Sequence, residues 1–268
     1  MLFDPDSVRN AAEAFVPQRL EHPLFLNSVP KTGTHLLRNI LLMFVDYEQA
    51  FEDDFIQVHN VHSHSHAFSK AKPRFSWGHL NHTEEASRIV GDSRILALVR
   101  DPYSYVLSFT RFLFSDQEGS TFAQYVRAHS IPVERVISFV IFGNLNDAVY
   151  CPDLRNSFML NGVQWLGDAT LLVRYEELVF NISVLRKLDF ETYTYDYFSN
   201  LLGHCGLAMP VDWRERVEAG ADRRLSYTAR ENLNVHRTIP DSLSEDQKMM
   251  VEIAAPGLRA ALGYFNAS

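Results

Sequence analysis

Short apolar runs that end at polar residues or proline recur along the chain and predict buried strands. The clearest are residues 24–29, which end at Pro30, and Arg94–Val99, which is followed by Arg-Asp-Pro. Residues 169–175 form a third run, and Phe75–Gly78 a weaker one. Continuous apolar runs of this length are typical of parallel strands buried on both faces.

Between these runs, apolar residues recur at the spacing of helices. Leucine, isoleucine and phenylalanine recur at helical spacing over residues 36–44, and Asp101 followed by proline predicts a helix from there to about residue 114. The last third is more helical, with predicted helices over residues 190–205 and 244–262. Residues 213–240, rich in Arg and Asn and weakly periodic, predict a loop or lid.

Strands that alternate with helices predict an α/β layered fold with a central, mostly parallel sheet flanked by helices. Ligands of such sheets bind beyond the carboxyl ends of the strands, so the loops after residues 29 and 99 are expected to face one crevice. No internal repeat or linker divides the sequence, and residues 1–268 are predicted to form a single domain.

Charge and cysteine content narrow the functional classes. A net charge of -8 argues against a general nucleic-acid surface, so any anion must be held locally. Two cysteines, Cys151 and Cys205, are too few for a disulfide framework and read as core thiols of a reducing compartment. Acidic Asp4 and Asp6 near the start, and the lack of a long apolar run, predict a cytoplasmic protein without an integral membrane segment.

The loop after the first strand has the features of a phosphate site. A strand-to-helix loop presents backbone N–H groups to an anion, Gly33 permits close approach, and Lys31 adds a charge. In the nucleotide kinase pattern the lysine directly follows the last glycine, whereas here Lys31 precedes Gly33, which disfavours phosphoryl transfer from ATP. An ordinary surface turn is the alternative interpretation.

A second anion site is predicted where the run Arg94–Val99 ends. Arg100 leaves a strand at the crevice edge, and Ser108 lies two turns into the next helix on the face of Ser104 and Arg111. Such a pair can hold another phosphate. The alternative for Arg100 is an ion pair with a surface carboxylate.

Both motifs resemble those of one family. The stretch VPKTGTHLLRNIL resembles the 5′-phosphosulfate loop of the sulfotransferases that use 3′-phosphoadenosine-5′-phosphosulfate (PAPS), and LVRDPYSYVLSFTRF resembles their second signature. The resemblance implies a P-loop-like three-layer fold, PAPS as co-substrate and no required metal. It also implies that Lys31 stabilises the leaving phosphate. It assigns the 5′-phosphate to Thr32, Gly33, Thr34 and His35, and the 3′-phosphate to Arg100 and Ser108.

Three weaker correspondences extend the resemblance. His79 in FSWGHLNH corresponds to the family's general base, although Asn81 replaces the usual proline and His82 is a nearby rival. Tyr175 in LLVRYEELV is implied to border the adenine, with a core tyrosine as the equal alternative. Arg230 or Arg237 occupies the place of the basic loop that clamps the 3′-phosphate.

The histidine run HNVHSHSHAF, with His59, His62, His64 and His66, raises the question of a metal. Without acidic or cysteine ligands nearby in sequence, a polar loop lining the substrate is favoured over a metal site. The sequence predicts a sulfotransferase acting on a hydroxyl of a sugar, lipid or small natural product. A small-metabolite kinase and a nucleotide-binding module without turnover are the alternatives, and the oligomeric state is not predicted.

Overall fold

A computed structural model describes residues 6–144, 149–226 and 229–265 of the chain. Its centre is a four-stranded parallel sheet of β1 (Leu24–Ser28), β2 (Phe75–Gly78), β3 (Arg94–Val99) and β4 (Thr170–Arg174), in the order β2-β1-β3-β4. All four strands fall where the apolar runs predict them. The predicted α/β fold with a parallel central sheet flanked by helices is confirmed.

Helices fill the connections between the strands. The first half of the described chain contains α1 (Asp6–Ala12), α2 (Thr34–Leu42), α3 (Glu84–Val90), α4 (Pro102–Leu113), α5 (Thr121–Ala128) and α6 (Val133–Phe142). The second half contains α7 (Leu154–Asn161), α8 (Tyr175–Ser183), α9 (Glu191–Cys205), α10 (Trp213–Gly220), α11 (Glu245–Ala254) and α12 (Leu258–Ala261).

The sheet is covered on both faces, which gives the three layers. Leu24 and Leu26 of β1 share one core with side chains of α2, α9 and α10. Phe25 points to the opposite face, where it packs with Ile95 and side chains of α3. At the carboxyl ends of β1 and β3 a further core joins α4, α6, α7 and α11. Burial on both faces explains why the strands read as continuous apolar runs rather than as alternating ones.

Local signals at the helix starts hold in the structure. Asp101 caps α4 by accepting the Tyr103 N–H at 2.8 Å, and Pro102 occupies the first turn. Ser244 and Gln247 form a reciprocal capping box at α11. The loop-to-helix transitions that position the crevice therefore follow directly from the sequence.

Two predictions for the last third are wrong. The expected loop over residues 213–240 begins with the helix α10, because Trp213 and Val217 are buried against the core of α2 and this tertiary contact outweighs the weak periodicity. The single helix expected over residues 244–262 is broken between α11 and α12, where Pro256 precedes Gly257 with a φ of 72°.

Cys151 and Cys205 are buried free thiols, as predicted. Within the described ranges, no helix is both long and apolar enough to cross a membrane.

Candidate functional site

The strand order creates a crevice beside β1. The chain passes from β1 to β2 on one side and then to β3 on the other, so the loops leaving the carboxyl ends of β1 and β3 diverge. A cavity of about 750 Å³ lies there. The predicted site residues that line it are Lys31, Gly33, Thr34, His35, His79, Arg100, Ser108, Tyr175 and Arg230, whereas Thr32 and Arg237, the alternative to Arg230, do not. The two predicted anion loops thus face one cavity.

The β1–α2 loop, taken here as residues 29–33 with the first two residues of α2, turns sharply before the helix. Lys31 has a φ of 66° and Gly33 a φ of 100°, both in the left-handed region. A Cβ on Gly33 would lie 2.5 Å from Cδ2 of Tyr175, so conformation and space both require glycine. No side chain caps α2 at Gly33, which leaves the amino end of the helix to attract an anion.

The two threonine hydroxyls of this loop are engaged within the protein. Thr32 is fully buried and its hydroxyl donates to the Val29 carbonyl at 2.7 Å. The Thr34 hydroxyl lies 2.7 Å from the Ser28 hydroxyl. These bonds fix the shape of the loop, and for Thr32 they leave only the backbone N–H for an anion.

Lys31 enters the cavity in an apolar and cationic environment. Its ammonium lies 3.9 Å from the centre of the Phe112 ring. Burial, and then the charge of Arg100, lower the pKa of Lys31 to about 7, while Glu118 opposes that change. A bound anion would raise this pKa again, so the site favours a negatively charged ligand next to Lys31.

His79 follows β2 and its ring is oriented by the first strand. Its Nδ1 lies 2.8 Å from the Ser28 carbonyl oxygen, which can only accept, so Nδ1 donates and Nε2 carries the lone pair. Burial lowers the pKa of His79 to about 4, which keeps the ring neutral at pH 7. The rival His82 lies outside the cavity lining, with its ring against Trp165.

Arg100 lines the same cavity and is held by contacts with α4 and Tyr175. Its Nε donates to the Ser104 hydroxyl at 2.9 Å, and its guanidinium lies 4.4 Å from the centre of the Tyr175 ring. Glu176 lies 3.9 Å away, so the ion pair considered as the alternative is present as a loose contact. The Ser108 hydroxyl donates to the Lys31 carbonyl at 3.5 Å, the limit of hydrogen-bond distance.

The two arginines proposed for the basic loop differ in position. Arg230 lines the cavity and pairs with Asp241 at 2.7 Å, whereas Arg237 is outside the lining. Arg111 also lines the cavity, with its guanidinium on the Pro240 carbonyl at 2.7 Å. Burial, and then the charge of Arg230, lower the pKa of Arg111. Its spacing of three residues from Ser108 was the available signal, but sequence reasoning left it out of the site.

Aromatic side chains form much of the remaining wall. Phe55, Phe109, Phe112, Phe122 and Tyr150 line the cavity. The aromatic pattern of α4 therefore serves the cavity, although Phe114, just after it, is fully buried in the core.

The histidine run lies elsewhere. His59, His62, His64 and His66 are outside the cavity lining, so the structure does not support the interpretation of this run as a substrate-lining loop. A carboxylate does lie near two of them, that of Asp53.

No protein-family model matches the chain, and no curated protein matches it. Among solved structures the chain is similar to a mouse sulfotransferase, SULT7A1, complexed with PAP. The two share 14% sequence identity, the match covers 99% of this chain and 86% of the mouse chain, and the TM-score is 0.48.

Proposed function

We propose that this protein transfers a sulfuryl group from PAPS to a hydroxyl of a small acceptor. The observation that supports it most strongly is the convergence of three groups on one cavity: the β1–α2 loop with Lys31, the oriented imidazole of His79, and the guanidinium of Arg100. They supply an anion cradle, a base and a second cationic site, which are the elements that this reaction requires.

The donor has anionic groups at two ends, and the cavity has two cationic regions. In this proposal the backbone N–H groups of Thr32, Gly33, Thr34 and His35 hold the 5′-phosphate at the amino end of α2. Arg100 and Ser108 hold the 3′-phosphate, with Arg230 and Arg111 close by on the same cavity.

Tyr175 packs on Gly33 and under Arg100, so its ring is the surface against which the adenine would lie.

The chemical step needs one leaving oxygen stabilised and one proton removed. The acceptor oxygen attacks sulfur and forms a new S–O bond, while the S–O bond to the 5′-phosphate breaks. Lys31 stabilises the negative charge that grows on that phosphate oxygen. Nε2 of His79 takes the hydroxyl proton, because Nδ1–H is held by the Ser28 carbonyl. The products are a sulfate ester and adenosine 3′,5′-bisphosphate. The step as written calls for no metal.

The acceptor in this proposal has an apolar body that carries the hydroxyl. Phe55 contacts the His79 ring at 4.6 Å between ring centres and lines the cavity, so an apolar acceptor seated there presents its hydroxyl near the base. The aromatic wall suits a lipid or small natural product better than a sugar, whose many hydroxyls need polar partners.

We propose that the reaction takes place in the cytoplasm, because two free thiols are typical of a protein in a reducing compartment.

The experiment that tests the proposal compares nucleotides by titration calorimetry. Adenosine 3′,5′-bisphosphate is expected to bind one per chain without added metal, and adenosine 5′-monophosphate about tenfold or more weakly, because it lacks the 3′-phosphate. Tighter, magnesium-dependent binding of ATP would instead identify a kinase. Binding of the bisphosphate with no transfer to any acceptor would identify a nucleotide-binding module.

A further inference from the structure

A second cluster of potential ligands lies outside the cavity, in the segment between α2 and β2. One ligand atom each from Asp53, His64 and His66 lies within 4.8 Å of the other two. Nε2 of His66 is 3.2 Å from Oδ2 of Asp53. Tetrahedral zinc ligands at about 2.0 to 2.2 Å from the ion are separated by roughly 3.5 Å, so small side-chain movements suffice to close this cluster around one ion.

The two imidazoles are held by a shared aromatic floor. The ring centre of Phe51 lies 5.4 Å from those of His64 and His66, both edge to face. Phe51 is fully buried, and its N–H donates to the Phe75 carbonyl of β2 at 2.8 Å. The ligand side chains are therefore anchored to the sheet even though Asp53 and His66 are exposed.

His64 carries the strongest sign of an unfilled polar site. Its Nδ1 is buried and has no hydrogen-bond partner among the described residues, while its Nε2 lies 3.8 Å from Oδ2 of Asp54. An unsatisfied buried ring nitrogen is costly, and a metal or water is the usual partner of such an atom.

Asp54 supplies the second carboxylate beside the cluster. Its carboxylate is held in place by the Phe55 N–H, which donates to Oδ1 at 2.7 Å, and by the Asn60 amide, which donates to Oδ2 at 3.0 Å. Carboxylates next to metal-binding imidazoles orient the rings and increase their basicity.

We propose that Asp53, His64 and His66 bind a divalent transition-metal ion of the zinc type. Two imidazoles and one carboxylate suit Zn²⁺ and its neighbours, whereas Mg²⁺ and Ca²⁺ prefer oxygen ligands only. Three protein ligands leave a position for water, which the exposure of Asp53 and His66 allows. The sequence argument against a metal assumed that no acidic ligand lies nearby, and Asp53 removes that objection.

The ion would stabilise the segment that packs against the candidate base His79. Asp53 is two residues from Phe55, whose ring packs on His79, and the next carbonyl, that of Ile56, accepts the His79 N–H at 3.0 Å. Binding would tie this segment to the short helix Ser65–Phe68. Asp53, His64 and His66 are all outside the cavity lining, so the ion is structural and takes no part in the transfer step.

The test is a Zn²⁺ titration of the chelator-treated full chain against a chromophoric zinc competitor, with the melting temperature followed in parallel. We expect one Zn²⁺ per chain and a higher melting temperature on binding. His64→Ala, His66→Ala and Asp53→Asn should each weaken binding by at least about tenfold. His59→Ala, in the same run but outside the cluster, is the matched control and should retain wild-type affinity.

X-ray absorption spectroscopy at the zinc edge gives the independent readout, since it should show two imidazole ligands in the wild-type protein and fewer in His64→Ala. Circular dichroism at neutral pH checks that each variant is folded. The proposal is overturned if the wild-type chain binds no Zn²⁺, or if His64→Ala and His59→Ala bind it equally well. Excess Mg²⁺ should not displace the ion, and displacement would also overturn it. These measurements contain no nucleotide, so their outcome is independent of the proposed sulfuryl transfer.

Discussion

Two parts of the cavity wall, the β1–α2 loop and a C-terminal rim, are built in different ways. In the β1–α2 loop, Thr32 is fully buried, its hydroxyl is bonded to a carbonyl, and the turn is completed by Gly33 in the left-handed region. The second region, the C-terminal rim, comprises the described parts of residues 223–241. There Arg230 is 62% exposed at its side chain and bonded to Asp241.

This difference determines which groups can bind an anion without first rearranging. Loop donors that are already fixed need no rearrangement when an anion arrives, which is the condition for stabilising charge that develops during a reaction. Arg230 must exchange its carboxylate partner for a ligand phosphate, and exposed ion pairs contribute little. We therefore expect the loop to control turnover and the rim to adjust nucleotide affinity.

The largest effect is expected from Lys31→Met, which removes the ammonium but keeps an unbranched side chain on Phe112. Turnover with PAPS should fall on the order of 10³-fold, because the leaving oxygen loses its positive partner. The measurement is the single-turnover rate. Lys70→Met, which removes a lysine paired with Asp92, is the control and should leave the rate unchanged. Equal losses of turnover in both variants would show that Lys31 has no role in the reaction beyond that of a surface lysine.

The next effect is expected from His79→Gln, on the order of 10²-fold in turnover, because the hydroxyl proton then has no base. His82→Gln is the matched control three residues away, outside the cavity lining. Affinity for adenosine 3′,5′-bisphosphate should change little in either variant. A similar loss in His82→Gln would show that the segment, and not the His79 imidazole, is what matters.

A smaller effect is expected at the rim. Arg230→Ala should weaken binding of adenosine 3′,5′-bisphosphate about tenfold with little change in the rate at saturation, because a single exposed charged hydrogen bond is lost. Arg237→Ala should bind as the wild type does, since that side chain is outside the cavity lining. Calorimetry measures both. If Arg237→Ala is the weaker binder, the assignment of the two arginines is reversed.

The smallest effect concerns stability against pH. Burial, and then the charge of Arg38, lower the pKa of His35 from 6.5 to about 4 in the folded protein. The unfolded chain therefore binds more protons between these values, and folding free energy is lost as the pH falls from about 6.5 towards 4. His35→Gln should reduce this loss, as measured by urea unfolding across that range. Identical pH slopes would show that His35 is not desolvated.

Much of the sheet and of the loop site could be predicted from sequence because their signals are local. The strands are continuous apolar runs, and Asp101 with Pro102 fixes the start of α4 within a few residues. Lys31 and Gly33 belong to one short loop, so their proximity needs no knowledge of the fold.

The rest depended on contacts between distant parts of the chain. The helix α10 forms because Trp213 is buried against the core of α2. Asp53 lies near His64 and His66 only once the segment has folded over Phe51. Arg230 and Arg237 lie in the same weakly periodic segment, and only the path of the rim decides which one faces the cavity.

The most direct measurement follows the labelled sulfuryl group of PAPS into pooled aromatic and aliphatic alcohols, with wild-type and Lys31→Met proteins side by side. Sulfuryl transfer at this cavity predicts a labelled sulfate ester with the wild-type chain, equimolar adenosine 3′,5′-bisphosphate, and almost none of either with Lys31→Met. The same yield from both proteins, or wild-type protein that binds the bisphosphate and labels no acceptor, would contradict it.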